Sequence, residues 1–298
     1  MVTRDDLAAA ASGTPVSVAL LQFAPLLYEV KANLDRVLLA VPRAKSAGAE
    51  LLIAPEMCLT GWALADSERR TGAVDDVARV ALPALREASR TSGVALVVGG
   101  PMRVEDGVAS NCAIGVTPDG TLSISRKIHL FGDERSWWSA GESVALLSLR
   151  VGEIGMLMCY DAEFPEAARM ARLAGADLLA IPAANMTPYE RDHDLLFPTR
   201  ALENECPVVV CNRTGVEGSA SYFGRSLVAD GRGRIIAQAG TAEELLVAIV
   251  GLSECAADPQ LSYLAHRRPD VYAPILCSST TARAQQPRPS RPRPTAPA

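Results

Sequence analysis

The sequence is poor in several features that mark particular classes of protein. Its 298 residues include only three histidines, and its seven cysteines contain no Cys-x-x-Cys pair. Because zinc-type sites draw mainly on closely spaced Cys and His, the sequence predicts no bound metal, and nothing in it calls for a cofactor. Widely separated cysteines also argue against a disulfide framework and favour a reducing, cytoplasmic setting.

Long hydrophobic runs and clusters of one charge are scarce as well. No stretch approaches the ~18–20 apolar residues that a membrane span needs, and the first residues lack the basic and apolar regions of a signal peptide. The 29 basic and 34 acidic side chains give a net charge of −5. Binding to nucleic acid or to an anionic membrane calls for clustered Lys and Arg, so we expect neither as a partner.

Strand-like and helix-like segments alternate along the chain, whose 49% hydrophobic content is ordinary for a globular protein. Residues 16–23 and 51–54 form apolar runs typical of buried strands, and residues 32–47 carry apolar side chains at helical spacing. A third strand is predicted over residues 94–98 and is expected to end at Gly99-Gly100. The order β-α-β-α-β predicts layered α/β packing.

The composition predicts one folded domain with a different segment at each end. We expect an N-terminal extension over residues 1–14, one domain over residues 15–277 and a disordered tail over residues 278–298. The tail contains five prolines and four arginines and no acidic residue, so it cannot bury enough apolar surface to offset its ordering entropy. Its charge of +4 leaves the rest of the chain at −9.

Three short islands place reactive side chains where the predicted strands end. Glu56 directly follows one buried strand, Lys127 lies at the end of another, and Cys159 lies at the end of a third. In layered α/β folds, sites are assembled at strand ends because a rigid scaffold holds the loops there. These residues are therefore the first candidates for a functional site.

In the order Glu-Lys-Cys, the three islands resemble the nitrilase superfamily of carbon–nitrogen hydrolases. The resemblance runs from about Val16 to Tyr272. It is carried by these segments: Pro55-Glu56, Val97-Val98-Gly99-Gly100, Arg126-Lys127-Ile128-His129-Leu130, Cys159-Tyr160-Asp161-Ala162-Glu163-Phe164-Pro165-Glu166, Arg200-Ala201-Leu202-Glu203-Asn204, Asn212-Arg213-Thr214-Gly215 and Arg268-Pro269-Asp270-Val271-Tyr272. The resemblance implies a four-layer α-β-β-α sandwich, a homodimer or higher homo-oligomer, and hydrolysis without a cofactor.

The resemblance also implies a role for each island. Cys159 is expected to be the nucleophile, Glu56 the general base, and Lys127 a donor to the oxyanion, with the backbone N–H of Tyr160 as the second donor. A thiol with a reference pKa near ~8.5 needs such a base or cation beside it. Glu134 is expected to be the second glutamate of the family, although it also fits a surface acid in a charged stretch.

Pocket residues are less clearly marked. Asn185 and Met186 stand where the family commonly lines its substrate pocket. Trp138 is expected to form an aromatic wall of that pocket, because it lies in a loop beside the two site glutamates, as do Trp62 and Trp137.

The motifs are most similar to the amidase branch, of the 5-aminopentanamidase and (R)-stereoselective amidase type. We therefore expect hydrolysis of a small aliphatic primary amide to a carboxylic acid and ammonia through a Cys159 thioester. A nitrilase and an N-carbamoyl amine hydrolase would use the same triad. A Cys-His hydrolase built on Cys159 and His129, and a non-catalytic binding protein, are further alternatives.

Overall fold

The structure, a computed structural model, describes residues 14–104, 108–252 and 259–272. Contacts divide the chain into a large unit, Met1–Ser262, and a small unit, Tyr263–Ala298. Within the small unit, Arg268 and Asp270 form an ion pair of 2.7 Å. The predicted tail, and the predicted extension except Thr14, lie outside the described residues, so the domain boundaries remain predictions. None of the described helices is both long and apolar enough to traverse a bilayer.

Two six-stranded sheets form the centre of the large unit. Strands of the first sheet are, in chain order, β1 (Thr14–Gln22), β2 (Leu51–Ile53), β3 (Ala95–Arg103), β4 (Ala109–Val116), β5 (Leu122–Arg126) and β14 (Glu244–Leu252). Strands of the second sheet are β6 (Ala145–Leu149), β7 (Gly152–Met156), β8 (Leu178–Ala183), β9 (Val208–Asn212), β12 (Leu227–Ala229) and β13 (Ile235–Gln238). A separate hairpin joins β10 (Thr214–Glu217) to β11 (Ala220–Phe223).

Helices cover the outer faces of the two sheets. The helical segments are α1 (Val30–Ser46), α2 (Ser67–Asp76), a π-helical turn (Val77–Ala81), α3 (Leu82–Ser92), α4 (Glu134–Trp137), a 3-10 turn (Cys159–Glu163), α5 (Pro165–Leu173), α6 (Glu190–Asn204) and a 3-10 turn (Pro259–Leu261). Asp66 caps α2 by accepting hydrogen bonds from two backbone amides of its first turn, both at 3.0 Å. Gly93 follows α3 with a φ of 76°, a left-handed conformation that suits glycine at a helix end.

Both sheets have the same internal plan. Their order is β14-β1-β2-β3-β4-β5 in the first and β13-β12-β9-β8-β7-β6 in the second. The three strands β1, β2 and β3 are parallel, as are β7, β8 and β9, and the outer strands pair antiparallel. Parallel strands end at the same edge of a sheet, so the loops after β2 and after β7 and β8 collect their side chains at common edges.

The side-chain alternation of β1 shows how the layers are built. Val16, Val18 and Leu20 point into a core shared with the second sheet, whereas Ala19 and Leu21 pack with the apolar face of α1. Because successive strand residues point to opposite faces, this alternation places helices on one side and a sheet on the other. Residues of α5 and α6 pack on the second sheet. The predicted four-layer α-β-β-α sandwich is confirmed.

The predicted end of the third strand at Gly99-Gly100 is wrong, since β3 continues through both glycines to Arg103. A Cβ atom on Gly99 would lie 2.4 Å from the carbonyl oxygen of Pro55 and 2.5 Å from the Cα of Glu56. Glycine at 99 therefore allows the loop that carries Glu56 to press against the strand. The close approach of this loop to β3, and not the end of the strand, explains why residue 99 is a glycine.

Candidate active site

The three residues singled out in the sequence meet at one cavity. Glu56 lies three residues beyond β2, Lys127 directly follows β5, and Cys159 lies three residues beyond β7. The first two come from one sheet and the third from the other. All three line a cavity of about 270 Å³. Face-to-face packing of the sheets thus brings Cys159 to the same cavity as Glu56, which is more than a hundred positions earlier in the sequence.

Lys127 lies between two carboxylates inside the protein. Its Nζ donates to Glu56 Oε1 at 2.7 Å and to Glu134 Oε2 at 2.6 Å. All three side chains are at most 1% exposed. Glu134 is therefore not the surface acid that its charged sequence neighbourhood also allowed.

The two glutamates fix the charge of this lysine. Burial alone lowers the pKa of Lys127, but the charges of Glu56 and Glu134 outweigh burial and raise it above the ordinary value. Burial raises the pKa of Glu134, against the opposing charge of Lys127. Lys127 is therefore a permanent cation at any physiological pH, and it cannot act as a base.

Asn111, a residue of β4, completes this cluster and was missed in the sequence. Its Nδ2 donates to Glu56 Oε1 and to Glu134 Oε1, both at 2.7 Å, and its backbone carbonyl accepts from the backbone N–H of Lys127 at 2.8 Å. An amide nitrogen carries two protons, so both are used to hold the carboxylates. An asparagine inside the apolar run of residues 109–116 was the available signal.

One oxygen of Glu56 remains without a partner. Oε1 accepts from Lys127 and Asn111, whereas Oε2 is buried and has no hydrogen-bond partner among the described residues. Buried carboxylate oxygens are normally satisfied, so an orphaned oxygen beside a cavity is suited to taking up a proton. The backbone N–H of Glu56 is fixed to the carbonyl of Ala183 on the other sheet, at 3.3 Å.

Cys159 has an unusual backbone conformation. Its φ of 46° lies in the left-handed region, which costs a non-glycine residue about 1–3 kcal/mol. The thiol donates to Asn185 Oδ1 at 3.1 Å, and its sulfur accepts from the backbone N–H of Ala184 at 3.4 Å. Burial, followed by the nearby charge of Glu56, raises the pKa of the thiol well above its ordinary value. The resting thiol is therefore protonated.

Asn185 is itself held by a buried network. Its backbone N–H donates to Asn212 Oδ1 at 2.7 Å, and its Nδ2 lies 2.9 Å from His193 Nδ1. The other ring nitrogen of His193 lies 3.0 Å from the carbonyl oxygen of Arg225. A carbonyl can only accept, so Nε2 carries the proton and Nδ1 accepts from Asn185. Burial lowers the pKa of His193 to about 4, which keeps the ring neutral.

In a Cys-His hydrolase the ring of His129 would contact the Cys159 thiol, but here it contacts an aspartate. Its Nδ1 lies 3.0 Å from Asp161 Oδ1, and its ring stacks on Phe164 with centroids 3.8 Å apart. Asp161 also accepts from the backbone N–H groups of Ile128 and His129, at 3.1 and 2.7 Å. The carboxylate thereby ties the loop after Lys127 to the turn that carries Cys159.

Three of the four predicted pocket residues line the cavity, namely Tyr160, Asn185 and Met186. Trp138 is placed elsewhere. It is 5% exposed and packs in a small apolar cluster with Met57, Leu64 and Val74, so it is not among the described residues at the cavity wall. Trp62 provides the indole there instead. Both tryptophans lie in loops near the site glutamates, and only the packing distinguishes them.

The other described lining residues are mostly aromatic or acidic; they are Phe131, Glu163, Ala184, Tyr189 and Asp192. No group of three or more His, Cys, Asp or Glu side chains placed to hold a metal ion occurs in the described part of the chain. The arrangement combines a buried thiol, a carboxylate with a free oxygen and a fixed ammonium group. Such a set can carry out nucleophilic acyl transfer.

Comparison with known proteins gives an independent result. Residues 17–260 match the model of the family described as Carbon-nitrogen hydrolase. A protein described as "Hydrolase in pqqF 5'region" from Pseudomonas protegens is 37% identical, with 86% of this chain and 90% of the relative covered. An (R)-stereoselective amidase of a Pseudomonas species is 32% identical, with 85% and 92% covered. A nitrilase from Pyrococcus abyssi is 32% identical, with 77% and 87% covered.

Solved structures with the same architecture include an amidase from Nesterenkonia sp. It superposes with a TM-score of 0.78 at 27% identity, covering 90% of this chain and 99% of the other. A cysteine-to-alanine mutant of the amidase from Nesterenkonia sp. AN1, in complex with butyramide, superposes with a TM-score of 0.76 at 27% identity, covering 88% and 97%.

Proposed function

The chain belongs to the carbon–nitrogen hydrolase family, and on that premise we propose that it hydrolyses small aliphatic primary amides to the carboxylic acid and ammonia. One observation carries the proposal: the Cys159 thiol, the unpartnered Oε2 of Glu56 and the ammonium group of Lys127 belong to side chains that line a single cavity. The amidase relatives and the butyramide complex of a structural neighbour support an amide as the substrate.

In the first step, the sulfur of Cys159 attacks the amide carbon as Glu56 Oε2 takes the thiol proton. The thiol is protonated at rest, so the base must act at the moment of attack. The carbonyl oxygen becomes an oxyanion, which Lys127 Nζ and the backbone N–H of Tyr160 stabilise. Glu56 returns the proton to the leaving nitrogen, the carbon–nitrogen bond breaks, and ammonia leaves a thioester on Cys159.

In the second step, water attacks the thioester. Glu56 accepts a proton from this water, and a second oxyanion forms at the same donors. The carbon–sulfur bond then breaks as Glu56 returns the proton to the sulfur, which gives the acid and restores the thiol. Glu134 and Asn111 are positioning residues in this scheme, because they hold Lys127 and Glu56 from the side away from the cavity.

A nitrilase is the second candidate, favoured by the identity of 32% to the nitrilase of Pyrococcus abyssi. The same thiol would add to the nitrile carbon, and two waters would be consumed to give acid and ammonia. An N-carbamoyl amine hydrolase would release carbon dioxide as well as ammonia. Product analysis separates these three reactions.

The test is to incubate the purified protein with primary amides, the matching nitriles and N-carbamoyl amines, and to measure ammonia, carbon dioxide and acid. We expect ammonia and acid from amides, and loss of at least about a thousandfold in rate for Cys159→Ala and Glu56→Gln. Cys206→Ala, which removes another buried free thiol, is the matched control and retains activity. Ammonia from nitriles but from no amide would overturn the proposal.

The finer statements about assembly and location are also proposals. We propose a homodimer formed through the outer faces of α5 and α6, whose exposed apolar side chains support a partner surface: Met170, Leu173, Leu195 and Leu202. Light scattering should show a dimer that Leu173→Glu with Leu195→Glu dissociates. Leu39→Glu, at an exposed position of α1, should leave the dimer intact. A cytoplasmic location is supported by the free thiols of all five described cysteines.

A further inference from the structure

The hairpin β10–β11 has no part in the reaction scheme, although the motif Asn212-Arg213-Thr214-Gly215 leads into it. Arg213, directly before β10, and Glu217, the last residue of β10, form an ion pair of 3.0 Å. The two side chains are only 1% and 6% exposed. Neither is among the described residues that line the cavity, so the reaction itself does not account for the pair.

A buried ion pair of this kind is costly. The removal of two charges from water is so unfavourable that apolar residues of similar volume are often equally stabilising or more so. Arg213 Nε is also buried without a hydrogen-bond partner among the described residues, which adds to the cost. The pair is therefore explained by what the carboxylate of Glu217 bonds besides the arginine.

The carboxylate of Glu217 holds the loop that carries Trp62. Its Oε1 accepts from the backbone N–H of Trp62 at 2.9 Å and from that of Ala63 at 2.7 Å, and its Oε2 accepts from Arg213. Gly61 allows this approach, because a Cβ atom there would lie 2.8 Å from Oε2. A side chain of the hairpin thus fixes the backbone of a residue 155 positions earlier in the sequence.

The indole of Trp62 is part of the cavity wall. Its ring lies 5.8 Å from that of Trp137 and 6.5 Å from that of Phe131, centroid to centroid. Aromatic pairs tolerate small shifts, because their favourable arrangements extend over centroid distances of about 4.5–7 Å. The backbone hydrogen bonds to Glu217 therefore decide where this part of the wall lies.

The same hairpin also holds a second part of the wall. Tyr222 of β11 forms an antiparallel bridge with Met186, which lines the cavity. The next residue, Thr187, donates its backbone N–H to the carbonyl of Ser221 at 2.9 Å. These main-chain contacts fix the segment of Met186 to β11.

Arg213 connects the two strands of the hairpin and hence the two parts of the wall. Its guanidinium donates to the carboxylate of Glu217, and its Cζ lies 3.9 Å from the centroid of the Tyr222 ring, a cation–π contact. Trp62 belongs to the loop after β2 and Met186 to the loop after β8, so they follow strands of different sheets. The hairpin and its ion pair fix the spacing between them.

We propose that Glu217 is a positioning residue that determines the size selectivity of the cavity. It holds the Trp62 backbone at a fixed spacing from Met186, so the wall does not widen for a bulkier amide. This inference rests on the proposed amidase function and adds to it the residue that limits the size of the acyl group. Glu217 acts through Trp62.

Two amides of different bulk measure this selectivity. Butyramide has a short straight chain, whereas cyclohexanecarboxamide has three additional carbons in a ring. A fixed apolar wall discriminates by about tenfold or more for one additional methylene, so kcat/KM of the unmodified protein should favour butyramide. Each variant is compared by the ratio of its two kcat/KM values, so differences in the intrinsic reactivity of the amides cancel. A ratio near one in the unmodified protein overturns the proposal.

Two double variants separate the hydrogen bonds of Glu217 from its charge. Arg213→Met with Glu217→Gln keeps an oxygen that can accept from the Trp62 and Ala63 amides, whereas Arg213→Met with Glu217→Met removes it. Both remove the two charges together, so neither leaves one buried charge unpaired. The glutamine variant should keep the ratio to within about twofold. The methionine variant should lower it by about tenfold, mainly through KM, with kcat for butyramide unchanged.

Glu217→Asp provides a second route to the same result. It keeps the charge beside Arg213 and shortens the side chain by one methylene, so the Trp62 loop can no longer be held at the same spacing. The ratio should fall by about threefold. This variant retains the ion pair and tests the proposal even where the methionine variant does not fold.

Hydrogen exchange measures the state of the loop without a substrate. The Trp62 and Ala63 amides should exchange about tenfold or more faster in the methionine variant than in the glutamine variant, because the methionine variant leaves them without the acceptor.

The matched control is Asp230→Ala. Asp230 is another buried carboxylate that accepts from two backbone amides, at 2.9 and 3.0 Å, and pairs with an arginine. It is not among the described residues of the cavity wall. Its substitution should lower the unfolding midpoint in urea and leave the ratio unchanged.

The outcomes distinguish this proposal from the function on which it rests. Ammonia release from no amide overturns the amidase, and hydrogen exchange still tests the role of Glu217. Equal ratios or equal exchange rates in the two double variants, or an unchanged ratio in Glu217→Asp, overturn that role although amide hydrolysis upholds the amidase. A changed ratio in Asp230→Ala overturns it too, because any loss of stability would then widen the wall.

Discussion

The two sheets contribute opposite kinds of chemistry to one cavity. The first sheet contributes ionised groups, with Lys127 bonded to Glu56 and Glu134 and every one of the three sealed from solvent. The second sheet contributes neutral groups, since the Cys159 thiol is protonated and bonds to Asn185, which is held by the neutral ring of His193. The reactive groups of both halves are buried, but only those of the first sheet are charged.

The difference shows how a hydrolase of this kind can hold the charges that stabilise an oxyanion in place before the oxyanion forms. Paired charges held in a sealed cluster do not have to move when an oxyanion forms beside them, which makes their stabilising effect large. Burial and the nearby charge of Glu56 keep the Cys159 thiol protonated until a substrate is bound. The groups that are always charged therefore come from the first sheet, and the thiol, which loses its proton only during the reaction, comes from the second.

Removal of the cation from the first half should have the largest effect. Lys127→Met leaves Glu56 and Glu134 buried without an opposite charge beside them, and we expect the free energy of unfolding at pH 7 to fall by about 3–5 kcal/mol. Ammonia release should be abolished. Urea unfolding measures the first effect, and Lys45→Met, at an exposed position of α1, is the control. An unchanged unfolding midpoint would contradict the charged cluster.

Substitution of Asn111 tests whether hydrogen bonds from a neutral amide stabilise the charged groups of the first sheet. In Asn111→Ala, each glutamate loses a hydrogen bond from Nδ2, and we expect a loss of about 2–3 kcal/mol in the free energy of unfolding. Because Asn111 is not among the described lining residues, kcat should fall while KM stays the same. Asn204→Ala, at another fully buried asparagine, should lose stability without a fall in kcat. A rise in KM alone would show that Asn111 acts on substrate binding instead.

Substitution of His193 tests whether the neutral form of its ring stabilises the folded protein. Its pKa is lowered from 6.5 to about 4 in the folded protein, so the unfolded chain binds a proton at higher pH than the folded one. The contribution of neutral His193 to stability is complete above pH 6.5 and is lost as the pH falls toward 4 and below. Between pH 7 and pH 4.5, we expect the unmodified protein to lose about 2 kcal/mol more than His193→Asn does.

The control for this measurement is His266→Asn, because His266 is exposed and should leave the pH dependence of the unfolding free energy unchanged. Identical pH dependence in the unmodified protein and His193→Asn would mean that the ring is not kept neutral by burial.

The smallest effect on stability is expected at Glu163, an acidic residue of the cavity wall. Glu163 has no ion pair or hydrogen bond from its side chain among the described residues, in contrast to Glu134. Glu163→Gln should therefore change the free energy of unfolding by no more than about 0.5 kcal/mol, as measured by urea unfolding. A loss as large as that of Asn111→Ala would show that Glu163 is a structural group and would weaken the contrast between paired and unpaired carboxylates.

Sequence patterns were sufficient for the elements that have strong local signals. The helix predicted over residues 32–47 is observed as Val30–Ser46, and the strand predicted over residues 51–54 is observed as Leu51–Ile53, because apolar periodicity and flanking polar residues mark both. The strand β14 was not predicted, although it pairs with β1 along its whole length. An apolar run near the end of a chain does not indicate which distant strand it joins.

The site was predictable to the extent that single residues stood out from apolar surroundings. Glu56, Lys127 and Cys159 each did so, and the family resemblance added Glu134. Asn111 was marked only by its place inside an apolar run, and no local pattern marked His193, because both act through other side chains. Trp62 and Trp138 are alike in sequence context, and the packing of Trp138 against Met57 and Leu64 decides which of them reaches the cavity.

The sequence by itself determined the reactive groups and the layered α/β class, because residue types and their periodicity are local properties of the chain. Tertiary structure alone decided the ionisation state of those groups, since pKa values depend on burial and on charges brought from distant segments. It also decided that two further carboxylates, Glu163 and Asp192, line the same cavity with no hydrogen bond or ion pair to their side chains among the described residues. Charge balance in a cavity is a property of the space that two sheets enclose, and no single segment contains it.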